Sequence, residues 1–147
     1  QETTLPTNEL RTAVYTPAPT HQTGNYHILV IDDEPSVMEM VKAVLTHQGY
    51  EVTGVTNSQD ALDLFAEHPA QFDMVISDQT MPGLTGAEMA QTMLVLRPDL
   101  PIILCTGYSE HIDKKGAQVM GIRDFLSKPL DQVNFLTVVE QNLSNNP

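Results

Sequence analysis

The sequence has little positive charge, one cysteine and no long apolar run. Seven Lys and Arg residues stand against 19 Asp and Glu residues, so the formal net charge is −12 and the pI is near 4.5. A direct nucleic-acid partner needs clustered basic residues to neutralise phosphates, and this charge balance excludes one. The single cysteine, Cys105, rules out an internal disulfide and is typical of a reducing, cytoplasmic compartment. No stretch approaches the ~20 apolar residues that span a bilayer, so we expect no membrane contact from this piece.

The length of 147 residues is that of one domain with a core of its own. Residues 1–25 combine Pro, Thr and Asn without an apolar period, which predicts a linker or tail from a preceding domain. Residues 26–144 carry the alternating pattern of a folded domain, and residues 145–147 are expected to be a C-terminal tail. Because the chain begins with Gln1 rather than Met, we expect a piece of a longer protein or a processed one.

Five short apolar or β-branched runs predict the strands of one sheet. They are His27–Ile31, Tyr50–Thr56, Phe72–Ser77, Pro101–Cys105 and Asp124–Ser127. Helical patterns alternate with these runs, which indicates a parallel sheet covered on both faces by right-handed crossovers. The predicted fold is therefore α/β, a doubly wound five-stranded parallel sheet with five helices.

Three details of the predicted helices are specific enough to test. Ser58 is expected to be the N-cap of the second helix. The fourth helix is expected over about Glu110 to Met120. The last helix is expected from about Asp131, with Val133, Leu136 and Val139 on its buried face.

Polar side chains follow four of the predicted strands. Asp32 and Asp33 come after the first, Asp78 after the third, Thr106 after the fourth and Lys128 after the fifth. Because parallel strands point the same way, these groups meet at the carboxyl edge of the sheet, where ligands bind in open α/β folds. Three carboxylates at one place repel each other unless a cation neutralises them. Oxygen ligands of this kind suit a hard divalent ion such as Mg²⁺, or Mn²⁺ in its place.

A cation, a lysine, a hydroxyl and a free carboxylate together suit a phosphoryl group, whose transfer depends on positioning and charge neutralisation. Asp78 would then be the nucleophile. Each element alone has an ordinary explanation: the acid pair Asp32 and Asp33 favours a helix start, Thr106 is a turn residue, and Lys128 lies at a strand exit. The joint placement of all of them favours the phosphoryl site.

This pattern resembles the receiver domain of two-component response regulators over about residues 26–143. The resemblance rests on four motifs: Ile31-Asp32-Asp33-Glu34, Ser77-Asp78 with Met81-Pro82-Gly83, Thr106-Gly107 and Lys128-Pro129. It implies a flavodoxin-like fold with strand order 2-1-3-4-5. It also implies a phosphorylation-driven switch that turns over nothing beyond its own phosphorylation and dephosphorylation.

The resemblance implies a role for each residue of the site. Asp78 would accept a phosphoryl group from a phosphohistidine. Asp33 would bind Mg²⁺ directly, Asp32 mainly through water, and the backbone carbonyl of Thr80 would complete the protein ligands beside Asp78. Lys128 would pair first with Asp78 and then with the phosphate.

The resemblance also implies a conformational switch and residues that set the lifetime of the phosphoryl group. Thr106 would move to bond the phosphoryl oxygen and let Phe125 swing inward, although Phe in place of the common Tyr removes a hydroxyl, and Phe125 is also a good core residue. Thr80 and Tyr108 would flank the path of an attacking water. Neither is an acid or amide that could orient that water, so we expect slow self-dephosphorylation.

The wider context follows by the same resemblance. The runs Leu104–Glu110 and Asp78–Pro82 are similar to receivers at the C-terminus of hybrid sensor histidine kinases, with a stand-alone regulator as the alternative. The expected partner is a histidine kinase core or a histidine phosphotransfer protein, and a weak homodimer is a further expectation. The domain itself would be cytoplasmic, in a parent chain that is free to carry a membrane anchor.

Two rival classes use part of the same pattern. A phosphatase of the haloacid-dehalogenase type also combines an Asp nucleophile, Mg²⁺, Thr and Lys, but it needs a D-x-D arrangement after the first strand. The run Asp32-Asp33-Glu34-Pro35 lacks that arrangement. A pseudo-receiver that never takes phosphate is the second rival, and the intact set of acids, threonine and lysine argues against it.

Overall fold

A computed structural model describes residues 26–107 and 114–144. The predicted linker 1–25, the tail 145–147, Tyr108 and the beginning of the predicted fourth helix lie outside these residues. The described residues form five strands: β1 (His27–Ile31), β2 (Glu51–Val55), β3 (Met74–Asp78), β4 (Ile102–Thr106) and β5 (Asp124–Ser127). They also form five helices: α1 (Pro35–His47), α2 (Ser58–Glu67), α3 (Gly86–Leu96), α4 (Lys114–Met120) and α5 (Gln132–Ser144).

All five strands lie parallel in one sheet with the order β2-β1-β3-β4-β5. The predicted α/β fold and its strand order are therefore confirmed. The chain moves outward from β1 to β2 and then crosses to β3 on the other side of β1. The crevice outside the carboxyl ends of β1 and β3 lies at this reversal, which is where such sheets bind ligands.

Two apolar layers cover the sheet. All five residues of β3 and all five of β4 are buried, as expected for strands covered on both faces. One layer packs beneath α2, α3 and α4 and includes Phe65, Phe72, Met89, Met93 and Leu104. The other packs beneath α1 and α5 and includes Val30, Leu45, Ile103, Phe135 and Val139. The sheet is thus held rigidly from both sides, and its carboxyl edge is a fixed platform.

Local chemistry places most helix ends near their predicted positions. Pro35 occupies the first turn of α1, and Gly49 follows the helix with φ of +98°, a conformation that favours glycine. The N-cap of α2 is Asn57, not Ser58 as predicted. The Asn57 side chain accepts from the Asp60 backbone N–H at 2.8 Å. Ser58 is instead the first residue of the helix and is buried against the loop after β3, where its hydroxyl accepts from the backbone N–H of Leu84.

The predicted buried face of α5 was partly wrong. Val139 is fully buried, but Val133 is 74% exposed. The buried face carries Phe135 and Leu143 together with Asn142, which donates to Asp124 at 2.9 Å and ties the helix to the start of β5. No helix within the described ranges is long and apolar enough to cross a membrane.

Candidate phosphoacceptor and metal site

The predicted site residues converge at the carboxyl edge of the sheet. Asp32 directly follows β1, Asp78 is the last residue of β3, Thr106 is the last residue of β4, and Lys128 directly follows β5. The first three are almost fully buried, with 4%, 6% and 6% of their surface exposed. The sheet therefore supplies two carboxylates, one hydroxyl and one ammonium at neighbouring strand ends.

Lys128 bridges the two buried carboxylates. Its Nζ lies 3.0 Å from Asp78 Oδ1 and 3.1 Å from Asp32 Oδ2. The other oxygen of Asp32 accepts from the backbone N–H of Glu34 at 2.9 Å, just before α1 begins. The backbone N–H of Lys128 donates to the Thr106 carbonyl at 2.9 Å, which fixes the strand exit beside the site. The Lys128–Asp78 pair was predicted by resemblance, whereas the second bond to Asp32 was not.

Burial alone would lower the pKa of the Lys128 ammonium, because it withdraws solvent from the charged form. Hydrogen bonds and attraction to Asp78 and Asp32 outweigh that cost, and the net pKa lies above its usual value. Lys128 is therefore a fixed positive charge at neutral pH. It is available to any anion that replaces part of its contact with Asp78.

Asp33 brings a third carboxylate to the same place. One oxygen each of Asp32, Asp33 and Asp78 lie within 4.8 Å of one another. Asp33 is exposed while the other two are buried, so the cluster opens to solvent on one side. Among the described residues, three carboxylates face one ammonium here, and an oxygen set of this charge and spacing fits a hard divalent cation. The residues present therefore fit the Mg²⁺ that the sequence pattern implies.

The remaining predicted residues are placed less decisively. Phe125 in β5 is half-buried against the α2–α3–α4 layer, and the ammonium of Lys114 lies 5.8 Å from its ring centre. Thr80 is exposed on the loop that follows β3. Tyr108 lies outside the described residues. The switching role of Phe125 and the lifetime roles of Thr80 and Tyr108 stay predictions.

Cys105 lies in β4 immediately before Thr106. Burial raises the pKa of its thiol to about 12, with Lys128 acting in the opposite direction and Asp78 and Asp32 adding to the rise. The thiol is therefore protonated and inert at neutral pH.

Sequence reasoning missed one residue beside the site. Gln79 follows Asp78 and makes three hydrogen bonds, to Cys105 in β4 and to Gly86 and Ala87 at the start of α3. A glutamine after a strand carries no sequence signal for these bonds, because its partners are seven and more residues away. They form only once β3, β4 and α3 are packed together.

Comparison with known proteins gives a consistent family. A model of the response regulator receiver domain matches residues 28–140. A probable transcriptional regulator, ycf27 of Cyanidium caldarium, is 33% identical over 71% of this chain and 41% of its own length. The two-component response regulator ARR12 of Arabidopsis thaliana is 32% identical over 70% of this chain and 17% of its own length. The chain thus spans less than half the length of either relative.

Solved structures give the same result. A response regulator receiver domain protein from Clostridium thermocellum superposes with a TM-score of 0.77 and 28% identity, covering 82% of this chain and 95% of that one. The chemotaxis protein CheY4 of Vibrio cholerae superposes with a TM-score of 0.72 and 28% identity, covering 80% and 98%. The likeness extends over nearly the whole of each solved chain.

Proposed function

The chain belongs to the family of response regulator receiver domains of two-component signalling, and on that premise we propose that it is the phosphoacceptor of a phosphorelay, with Asp78 as the residue phosphorylated. One observation carries the proposal. The Asp78 carboxylate ends the buried strand β3 and is held 3.0 Å from the Lys128 ammonium, inside a group of three acids. A buried carboxylate, a positively charged ammonium and a cluster of three acids thus lie together at one edge of the sheet, which supports this assignment.

In the proposed reaction, an oxygen of Asp78 attacks the phosphorus of a phosphohistidine on the donor. The new O–P bond forms as the P–N bond breaks, and the imidazole leaves with a proton from solvent. Lys128 then forms an ion pair with one phosphoryl oxygen, and the Thr106 hydroxyl donates a hydrogen bond to another. Both act by stabilising charge that grows on the transferred group.

Asp32, Asp33 and Asp78 would hold Mg²⁺, with the Thr80 carbonyl as the further protein ligand that the family resemblance implies. The ion would supply positive charge to the oxygens of the phosphoryl group. This proposal is supported by the carboxylate spacing within 4.8 Å and by the exposure of Asp33, which leaves the cluster accessible from solvent.

We also propose that movement of Thr106 toward the phosphoryl group lets Phe125 turn inward and so alters the surface that a partner reads. The half-buried position of Phe125, one strand away from Thr106, supports this step. A partner supplying phosphohistidine would be a histidine kinase core or a histidine phosphotransfer protein. The phosphoryl group of such donors comes from ATP, which favours a cytoplasmic location for this domain.

The origin of the chain in a hybrid sensor histidine kinase remains a further proposal, with a stand-alone regulator as the alternative. An immunoblot of extracts of the source cells, with an antibody raised against this 16.2 kDa chain, distinguishes the two alternatives. A band several times larger than the chain, from a protein that the antibody precipitates and that phosphorylates itself with ATP, would support the hybrid kinase. A band near the size of the domain would refute it.

The test of the function is intact mass after incubation with acetyl phosphate and Mg²⁺. We expect a gain of one phosphoryl group, about 80 Da, which requires Mg²⁺ and is lost in Asp78→Asn. The matched control is Asp63→Asn, at an exposed acid of α2, which should be phosphorylated like the parent. The adduct should persist for minutes or longer once the donor is removed. Equal labelling of Asp78→Asn would refute the assignment.

A further inference from the structure

The loop after Asp78 is tied to two neighbouring elements by Gln79. Its backbone N–H donates to the Cys105 carbonyl at 2.9 Å, and its own carbonyl accepts from the backbone N–H of Gly86 at 2.8 Å. Its side-chain Oε1 accepts from the backbone N–H of Ala87 at 2.8 Å. One residue therefore joins the end of β3 to β4 and to the first turn of α3.

These bonds complete the N-terminus of α3. The first amides of a helix have no partner within it and need acceptors from elsewhere. In α3, Thr85 supplies a capping box, with its hydroxyl accepting from Glu88 at 3.1 Å. The backbone N–H groups of Gly86 and Ala87, the two residues before Glu88, donate to the backbone and side-chain oxygens of Gln79. The start of α3 is thus partly built by the residue next to the phosphoacceptor.

The same turn of α3 lies directly on the Asp78 peptide. A Cβ added at Gly86 would come within 2.5 Å of the Asp78 backbone oxygen and 2.9 Å of a Leu104 methyl group. The backbone at the start of α3 is thus packed closely against the end of β3. We therefore expect a change in the contact between Gln79 and α3 to affect the backbone that carries Asp78.

We propose that Gln79 is a positioning residue for the phosphoacceptor site, acting through its side-chain bond to the Ala87 amide. In this role it need contact neither the phosphoryl donor nor the cation. It holds the Asp78–Thr80 backbone in the conformation in which Asp78 meets Asp32, Asp33 and Lys128. This inference rests on the proposed function, because it concerns the same cation site.

The expected effect follows from the population of that conformation. If the side-chain bond is lost, other loop conformations gain by the net value of one hydrogen bond, which is about threefold to tenfold in population. A cation that needs the ordered loop then binds more weakly by about the same factor, because the competent fraction has fallen. The folded state as a whole need not unfold.

Two substitutions at Gln79 separate the bond from the bulk of the side chain. Gln79→Met keeps the length but removes the acceptor. Gln79→Glu keeps an acceptor facing the Ala87 amide, where a negative charge is also favoured by the helix N-terminus. Gln91, on the exposed face of the same helix, supplies matched controls for hydrophobicity and charge as Gln91→Met and Gln91→Glu.

The measurement is Mn²⁺ affinity by electron paramagnetic resonance, at a temperature where thermal unfolding curves show every variant folded. We expect Gln79→Met to bind about threefold to tenfold more weakly than the parent. Gln79→Glu should match the parent or bind more tightly, and both Gln91 variants should stay within about twofold. A purely structural role would change thermal stability but leave the affinity of the folded protein unaltered.

The unsubstituted protein offers a second test through linkage, because a bond that favours the cation must itself be favoured by it. Saturating Mg²⁺ should slow hydrogen exchange of the Ala87 amide by more than it slows the Ala61 amide in α2. Unchanged Mn²⁺ affinity in Gln79→Met, or equal slowing at Ala87 and Ala61, would overturn the positioning role while leaving the proposed function intact. Failure of the parent protein to bind Mn²⁺ would instead overturn both.

Discussion

At the amino edge of the sheet, at the first residue of β1 and the residue before β3, polar groups are hydrogen-bonded to one another. The backbone N–H of His27 donates to Asp73 Oδ2 at 2.8 Å, and the backbone N–H of Asp73 donates to the His27 carbonyl at 2.7 Å. The His27 ring reaches Thr53 Oγ1 at 2.7 Å and packs edge-on against Phe72. The carboxylate here is used as a hydrogen-bond acceptor within the protein.

At the carboxyl edge, acids of the same kind are brought together in excess. Lys128 balances part of the charge of Asp32 and Asp78, and Asp33 adds a further negative charge at the open side. The rigid two-layer core holds these groups in place despite their repulsion. The two edges therefore differ in charge balance: the amino edge pairs its carboxylate within the protein, whereas the carboxyl edge carries a surplus of negative charge that a bound cation would relieve.

Near neutral pH, removal of the Lys128 ammonium should give the largest effect, because it leaves the carboxylates of the carboxyl edge without their counter-charge. Without divalent cations and near neutral pH, Lys128→Met should lower the unfolding free energy by about 2 kcal/mol, because two buried carboxylates lose their shared partner. The figure is below the roughly 3 to 5 kcal/mol typical of a broken buried pair, because the Lys128 side chain is 24% exposed. Urea unfolding measures it.

The control for this substitution is Lys115→Met, at an exposed position of α4, which should change stability by less than about 0.5 kcal/mol. Added Mg²⁺ should restore part of the loss in Lys128→Met, since a divalent cation can take over the neutralising role. Equal stability of the two variants would mean that Lys128 does not balance the carboxylates.

The buried thiol of Cys105, next to the carboxyl edge, should make the stability of the protein depend on pH in the alkaline range. The thiol has a pKa raised from 9.0 to about 12 in the folded protein, chiefly by burial. As the pH rises from 9 toward 12, the unfolded chain loses this proton while the folded chain keeps it. Stability must therefore fall with rising pH, by about 1.4 kcal/mol per pH unit from this one group.

Cys105→Ala should remove that contribution, and urea unfolding across this alkaline range should show a shallower decline in the variant than in the parent. The packing lost with the thiol is independent of pH and shifts the whole curve without changing its slope. Lys128 and Tyr50, whose pKa values are also raised, contribute in the same direction to both proteins. Parallel pH curves would show that the thiol titrates as it does in water.

The strands and the carboxyl edge could be predicted because their signals are local. Each apolar run is short and bounded by turn residues, and the strand direction then places Asp32, Asp78, Thr106 and Lys128 together. The second bond of Lys128, to Asp32, joins the ends of β5 and β1, which have two strands between them in the sheet, and no local sequence pattern predicts that distance. The same is true of the contact between Gln79 and α3.

The error at α5 has a different physical cause. Its apolar residues allow two overlapping helical faces, one through Val133 and one through Phe135 and Val139. The true face includes Asn142, which helical spacing places beside Phe135 and Val139 but whose polarity suggests exposure to solvent. Its bond to Asp124 makes burial favourable, and only the packed structure brings these two side chains together.

The smallest expected effects come from the same substitution, Asp to Asn, at each edge of the sheet. It should change the unfolding free energy in opposite directions at the two edges. Asp33→Asn, without divalent cations, should raise the unfolding free energy by about 0.5 kcal/mol, since it removes one of three repelling charges. Asp73→Asn should lower it by about 0.5 to 1 kcal/mol, because the acceptor of the His27 N–H remains but loses its charge. Urea unfolding of both variants beside the parent measures the pair.

Saturating Mg²⁺ should reverse the ranking at the carboxyl edge alone. The parent gains stability in proportion to the logarithm of cation concentration over its dissociation constant, whereas Asp33→Asn has lost a ligand and gains less. Asp73→Asn should gain as much as the parent, because its position is remote from the cation. If Mg²⁺ stabilises Asp33→Asn and the parent equally, Asp33 is not a ligand, and its charge at the edge is incidental to the site.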